Sequence, residues 1–551
     1  MDCNTVMKKL KVSAPAFSLL PVDVIINIAF SIPVAADLFA FLEALRPYNL
    51  LGPLEHLYQL GMQLDRSFYL WPCLRIPSLV DELSISYEAI AKYYSNVVIQ
   101  DLGQATWLKK HLGPQTKIEW IVNHFPTSTK EIVDDVWDLH ITRVSHGFKC
   151  NSLSSGKEIL SRLKHLTTLK VYDEHPFSMP AEALDDYHQA WDDIFQFVEE
   201  SHQLTELQAS PDSHAMSSSN LVNLIAWFRR QPVRVLKCMT STCGRIDKSL
   251  KQPFYEAIFN CPTLDKLILT TCDFEGLDFS RFRFSMRSLQ VGYCRGGSDY
   301  IDSLASRLEN SNLTHLDIYA SHDVSIDSVK SLVRDLPYTP IKHLALKGLP
   351  FNSTDLSKLA QLCKNCPVES LSLHAIRSSF SFVKSLATAI QNKTIHDLEV
   401  LFPVITVEEM RLLIQSVCHP SRRLKRKQPK LTIPGNNMEK PLIKSLMDFA
   451  ADFCSNRLSP LSFPTLDLGI AKIRLPFSLQ FNKTLNVDNE LMCKVLHKKS
   501  KPIILFHALY YVFPLESALA TRVSRRSQNL GDDTCNQLVR YKRPLYRRFI
   551  R

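Results

Sequence analysis

A short apolar pattern recurs along the chain: an aliphatic residue, two variable positions, a leucine, one variable position and a second aliphatic or near-aliphatic residue. It reads VWDLHI (136–141), LTTLKV (166–171), LTELQA (204–209), VRVLKC (233–238), LDKLIL (264–269), MRSLQV (286–291), LTHLDI (313–318), IKHLAL (341–346), VESLSL (368–373) and IHDLEV (395–400), with a weaker PKLTI at 429–433. Alternation over a few residues predicts a strand with one buried face. The central leucines of the regular copies, Leu289, Leu316, Leu344, Leu371 and Leu398, stand 27, 28, 27 and 27 residues apart, whereas the earlier copies are spaced 30, 38, 29, 31 and 22. Between the regular copies lie DYIDSLASRLEN, SIDSVKSLVRDL, STDLSKLAQLCKN, SFVKSLATAIQN and TVEEMRLLIQSV. Their apolar residues fall three and four apart, which predicts amphipathic helices, most of them entered through a Ser, Thr or Asp suited to capping. One strand and one helix cannot bury an apolar face alone, so such units stack into a solenoid. The expected fold class is therefore α/β: a curved parallel sheet backed by helices. An ordinary sheet with helices on both faces would not hold a leucine motif at a fixed period.

A different pattern occupies residues 19–45, LLPVDVIINIAFSIPVAADLFAFLEAL. Lys8, Lys9 and Lys11 precede it as in a secretory signal, but Asp23 and Asn27 interrupt what would be the apolar segment, and Pro21 and Pro33 bracket it closely. An amphipathic helix fits better. Asp23, Asn27 and Ser31 make one polar stripe, and Val24, Ile25, Ile28 and Ile32 cover the opposite face. Pro21 suits a first turn and Pro33 a helix end. A second helix is expected from Asp37 as its cap, with Leu38, Phe41, Leu42 and Leu45 on one side. Two short helices with this much aliphatic surface need a partner, either the rest of the chain or another protein.

Leu20-Pro21, Asp23, the aliphatic set Val24, Ile25, Ile28 and Ile32, then Asp37-Leu38 and Leu45, with Leu70-Trp71 closing the segment, resemble an F-box-like motif of about fifty residues. The chain departs from that pattern at Arg46-Pro47-Tyr48, where such modules carry a valine, a cysteine or serine, and a tryptophan. The repeats, over roughly residues 70–435, resemble long, helix-backed leucine-rich repeats of the ribonuclease-inhibitor-like kind. Together these resemblances imply a leucine-rich repeat solenoid preceded by a small all-α F-box-like hairpin. They imply a substrate-recognition subunit that docks through Leu20, Pro21, Val24, Ile25, Ile28, Ile32, Leu38 and Leu45 on the Skp-type adaptor of a cullin–RING ubiquitin ligase. The alternative is a leucine-rich repeat scaffold with no link to ubiquitin, its N-terminal helices capping the solenoid. The implied organisation is a tail (1–16), the helical module (17–72), a helical linker with irregular first repeats (73–135), the repeats (136–435) and a C-terminal region (436–551) with a basic tail, capping or partly disordered.

Strand alternation also says which residues face a ligand. With the leucines inward, His315, Asp317 and Tyr319, His343 and Lys347, His374 and Glu399 fall on the concave face, a mixed-sign surface with aromatic members that suits a protein target. His315 and His343 occupy equivalent places in adjacent repeats, and solvated surface histidines are expected there rather than metal ligands.

Composition changes this picture little. Fourteen cysteines are dispersed without the spacing of a disulfide framework; Cys238 and Cys261 sit in apolar contexts and read as buried thiols. The one C-x-x-C, Cys363–Cys366, lacks a second pair for zinc. Without a signal segment, the sequons at Asn312, Asn352, Asn392 and Asn482 are chance matches, and a cytoplasmic or nuclear location is expected. The apolar run 503–513 is too short for a span, so no membrane is expected. Of the net charge of +10, the last thirty-one residues carry +7, from nine Arg or Lys against Asp532 and Asp533. That tail and the run RRLKRKQPK (422–430) read as solvated edges, so nucleic acid is not an expected partner. Walker, dinucleotide-glycine, H-E-x-x-H and G-x-S-x-G motifs are absent, so no catalytic residue, cofactor or metal is expected.

Overall fold

In a computed structural model, the described residues are 20–77, 81–126, 128–148, 156–173, 184–211, 216–239, 247–319, 324–349, 352–363, 367–375, 379–391, 395–401, 405–417 and 430–432, with short pieces at 445–446, 449, 465–467 and 472–474. The tail 1–16, the apolar run 503–513, nearly all of the basic run 422–430, Cys366, Asn392 and Asn482, and all but those pieces of 436–551, lie outside them.

Three helices come first: α1 (Val22–Ser31), α2 (Ala35–Leu45) and α3 (Leu54–Gln63). Strands and helices then alternate as β1 (Leu74–Ile76), α4 (Asp81–Ala91), β2 (Asn96–Ile99), α5 (Ala105–His111), β3 (Lys117–Val122), β4 (Ile141–Phe148), α6 (Gly156–Arg162), β5 (Thr168–Asp173), α7 (Leu184–Glu200), β6 (Glu206–Ser210), α8 (Ser218–Arg230), β7 (Val235–Met239), α9 (Lys248–Phe259) and β8 (Lys266–Thr270). The regular part follows as β9 (Ser288–Gly292), α10 (Gly297–Ala305), β10 (His315–Tyr319), α11 (Ile326–Asp335), β11 (His343–Leu349), α12 (Ser353–Leu362), β12 (Ser370–Ala375), α13 (Phe380–Ile390), β13 (Asp397–Leu401) and α14 (Val407–Val417).

Each strand pairs with the one before and the one after it, and β1–β13 all run parallel in one sheet that does not close into a barrel. Short β14 (Lys430–Thr432) and β15 (Thr465–Asp467) continue it in parallel, and β16 (Lys472–Arg474) is antiparallel. The pairing places one apolar column down the sheet: Leu289, Leu316, Leu344, Leu371 and Leu398 stand side by side. All five are at most 2% exposed and belong to one apolar cluster with the inner faces of the helices. The expected repeat register holds, and α11 starts where its capping residue predicts, at Ser325, whereas Asn352 rather than Ser353 caps α12 and Ser379, two residues before Ser381, caps α13.

One strand expectation needs correction. VWDLHI is not a strand; Asp134–Asp138 is a 3₁₀ turn, and the strand begins at Ile141. There Val144 takes the leucine's place in the column, and fully buried His146 the second aliphatic place, its Nδ1 2.9 Å from the Val122 carbonyl. The residues 73–135 also carry three strands of the same sheet, with Ile76, Ile99 and Trp120 in the column. The irregular spacings have physical causes. The 17-residue α7 stretches one repeat. Between β8 and β9 no α-helix forms, and Phe274, Phe279, Phe282 and Phe284 fill the space instead, with Phe259 4.9 Å from Phe282 and 4.8 Å from Phe284 between ring centroids. Aromatic packing of this kind replaces the inner face of a helix.

Candidate functional site

With one sheet face occupied by the core column, the opposite face of β9–β13 carries the alternate side chains. All seven residues read from the sequence lie there, on neighbouring strands: His315 beside His343, Asp317 beside Ala345, Tyr319 beside Lys347, and His374 beside Leu401, with Glu399 beside Ser372. Their exposure is uneven. His315 is exposed, whereas Asp317, Tyr319, His343, Lys347 and Glu399 are half-buried and His374 is buried.

The two histidines stack face to face, 3.9 Å between centroids with planes 8° apart, and Thr314 Oγ1 lies 2.8 Å from His315 Nδ1. Imidazole lone pairs lie in the ring plane, so parallel rings aim theirs in parallel rather than at a shared ion. Among the described residues no group of three or more His, Cys, Asp or Glu is placed to hold a metal.

Tyr319 passes over Gly292, where an added Cβ would stand 3.3 Å from the Tyr319 Cβ and 3.5 Å from its ring, and the Tyr293 ring stands 5.9 Å away. Lys347 Nζ donates to the Tyr319 hydroxyl at 3.1 Å, lies 4.8 Å from its ring centroid and reaches Asp317 at 3.7 Å. Burial works against its positive charge, but the Tyr319 oxygen, Asp317 and Glu399 outweigh it and hold the ammonium above the ordinary lysine range. On the next strands Ser372 Oγ donates to Glu399 Oε2 at 2.6 Å, and His374 Nε2 lies 3.6 Å from the same oxygen and 3.1 Å from Ser372 Oγ. Hydrogen bonding from His374 foremost, then from Ser372, against the opposing effect of burial, pulls the Glu399 carboxyl down to about 2. This end of the face is therefore a set of charges largely satisfied by one another. The Ser372 hydroxyl is directed to the Glu399 carboxylate, which its low pKa makes a weak base.

A second network went unseen in the sequence because two of its three strands, β3 and β4, carry no leucine. Glu119 on β3 accepts from Arg143 at 3.2 Å, from Ser145 at 2.7 Å and from Lys170 at 2.9 Å, and these donors hold its carboxyl below the ordinary range although burial, the largest single effect, pushes the other way. Tyr293 was also missed. It is 60% exposed and has φ 55°, a left-handed backbone that turns its ring outward. The Gly-Tyr pair after a strand, in LQVGYC, is the signal that marks it.

The N-terminal residues divide. Ile25, Leu38 and Leu45 are buried within this chain, at 0%, 0% and 5% exposure, and join the same apolar cluster as the sheet. The apolar face expected of Val24, Ile25, Ile28 and Ile32 is thus corrected: the inner face of α1 is Ile25, Ile26 and Ala29, and Phe30 packs its ring 5.4 Å from Trp71 and 4.9 Å from Tyr94, beside the first strand. Phe39 of α2 lies against α3 at Gly61, a place no Cβ could share. Pro21 and Val24 are exposed, Leu20, Ile28 and Ile32 half-buried, and the polar stripe Asp23, Asn27 and Ser31 faces outward as expected. α2 starts at Ala35, with Asp37 in its first turn rather than at the cap. The cause is the exit from Pro33: Val34 is already extended and leads straight into the helix.

No helix of the described residues is long and apolar enough to cross a membrane. No family model matches the chain, and no curated protein matches it either.

Proposed function

We propose that this chain is a non-catalytic substrate receptor of the F-box-like leucine-rich repeat kind, which holds a target protein on the open face of its sheet and docks on a Skp-type adaptor of a cullin–RING ubiquitin ligase through α1. The observation that carries the reading is the two-faced sheet: one face is filled by helices, and the other is a broad polar strip with aromatic members, the composition of a protein-recognition surface. A receptor of this kind needs no catalytic residue, because holding a target lysine near the ubiquitin-carrying enzyme makes their encounter effectively intramolecular. On α1, Val24 and Ile28 stand four residues apart along the flank that the core leaves uncovered, and they are the side chains offered to the adaptor.

A second reading, a repeat scaffold with α1–α3 as its cap, is favoured by the Phe30 contacts with Trp71 and Tyr94. The two readings use different faces of one helix. The test is therefore Val24→Asp with Ile28→Asp, which leaves Ile25, Ile26 and Ala29 in place. Adaptor co-purification from a lysate should be lost, and the melting temperature should stay within a few degrees of wild type, since half-exposed sites tolerate charge. A wild-type chain that captures no adaptor sinks the ligase reading and leaves the scaffold.

A further inference from the structure

Charge on the open face is unevenly placed and unevenly used. In the two columns that flank the core column, strands β3–β9 carry Arg143, Lys170, Lys237 and Lys266 against Glu119 and Glu206. Strands β10–β13 carry Asp317, Asp397 and Glu399 in the same columns, with Lys347 just beyond. Arg143 and Lys170 are both committed to Glu119, and Lys347 to Tyr319 and Asp317. Glu206 accepts from the Thr168 hydroxyl at 3.2 Å. Lys237 on β7 and Lys266 on β8 are exposed, and among the described residues neither has a carboxylate within ion-pairing distance. Lys266 stands beside Val235 and Lys237 beside Ile268, so the two lysines are neighbours on a diagonal. Strand spacing of about 4.8 Å and a two-residue offset of about 6.6 Å put their stems roughly 8 Å apart.

We propose that an acidic segment of the protein partner seats over β7 and β8, its carboxylates meeting Lys237 and Lys266. The proposal rests on the reading of this face as the target-binding surface and moves its centre away from the β10–β13 cluster, whose charges are taken up among themselves. An extended peptide repeats its side chains on one face about every 6.6 Å, near enough to the roughly 8 Å diagonal for two flexible lysine stems to close the difference. Val235 and Ile268 beside the lysines give an apolar floor on which such a segment can rest. A polyanionic nucleic acid fits worse, because its longer path along the face meets the carboxylates of β10–β13, and among the described residues of these two columns on β3–β13 only Lys237 and Lys266 are uncommitted cations.

The experiment titrates the full-length chain against a fluorescein-labelled deca-glutamate peptide at low salt. Lys237→Glu with Lys266→Glu is compared with Lys164→Glu with Lys248→Glu, exposed lysines off this face that give the same change in net charge. Weakening by about tenfold or more for the first pair and under about twofold for the second supports the proposal. Equal weakening by both pairs, or none by the first, overturns it and assigns the binding to the basic segments at large. Tighter binding to poly-uridylate or to phosphatidylserine vesicles, lost in the first pair, also overturns it. Should the reversals lower the melting temperature, Lys237→Gln with Lys266→Gln carries the same comparison. Adaptor capture by the same variants is scored separately: its absence in wild type removes the ligase reading and leaves the deca-glutamate result to stand alone, whereas retained capture with unaltered peptide binding removes only the acidic segment.

Discussion

Strands β1–β4 and β10–β13 do the same work in one sheet, yet only the second group is spelled in leucine. At the column position the later strands carry Leu316, Leu344, Leu371 and Leu398; the earlier ones carry Ile76, Ile99, Trp120 and Val144. All eight are at most 3% exposed. Sheet register is thus set by the presence of an apolar side chain at alternate positions and by parallel pairing, not by leucine itself. What leucine adds is regularity: one shape repeated lets helices of similar length stack at a constant spacing, whereas tryptophan and valine need compensating changes in the connecting segments.

The comparison breaks most sharply if the two groups differ in what the column contributes. Leu344→Asp buries an unpaired carboxylate among apolar neighbours and should cost about 4 kcal/mol or unfold its surroundings outright. Val144→Asp should do the same, although no leucine pattern marks that site. Chemical unfolding of both variants checks this; a cost at Val144 below half that at Leu344 would show the early strands to be an adjunct rather than part of one continuous core.

Next in size is the joint between α1 and the first strands. Phe30→Ala removes the ring that meets Trp71, Tyr93 and Tyr94, and should cost about 2–3 kcal/mol, below the usual figure of about 3–5 for a fully buried ring because Phe30 is only partly buried. Hydrogen exchange locates the effect. Faster exchange confined to α1 and α2, with β10–β13 unchanged, supports a terminal cap whose loosening stays local, as a chain of nearest-neighbour contacts predicts.

How far the fold was legible follows from the same contrast. The five regular strands and their helices could be placed within a residue or two because leucine spacing and capping residues agree. β1–β3 were hidden because Ile76, Ile99 and Trp120 stand where the motif has its leucine, and β4 because Val144 and His146 replace both apolar landmarks while the Leu139 that mimics them ends a turn. The open face was legible as a set of positions, since alternation alone decides it. Its chemistry was not: no pattern says that Lys347 lies under Tyr319 or that Glu399 is held by His374, because both contacts cross strands 27–28 residues apart. The same limit applied to α1. Its polar stripe was plain, but which aliphatic residues the chain itself covers depends on Trp71 and Tyr94, far along the sequence.

The smallest effect separates the two polar networks by pH. Glu399 and Glu119 both have carboxyls held below their ordinary range, so each stabilises the fold while ionised, fully above the unfolded value of about 4.3, and loses that contribution as pH falls toward the folded value. For Glu399 the loss spreads down to about 2, with His374 as the main cause. Its side chain is 40% exposed, so screening by water keeps the contribution under about 1 kcal/mol. Glu119 is 20% exposed and answers to Lys170, Ser145 and Arg143 against burial. Unfolding midpoints of wild type, Glu399→Gln and Glu119→Gln, followed from about pH 6 to pH 3, should show a gap to wild type that is constant at the upper end and narrows below about 4.3 for both variants. The gap should be wider for Glu119, which loses three donors' worth of charge-assisted contacts in a drier place. If the Glu399 gap proves the wider, the β10–β13 cluster carries more of the fold than the β3–β5 network does, and variants there would disturb the recognition face by unfolding it rather than by changing its chemistry.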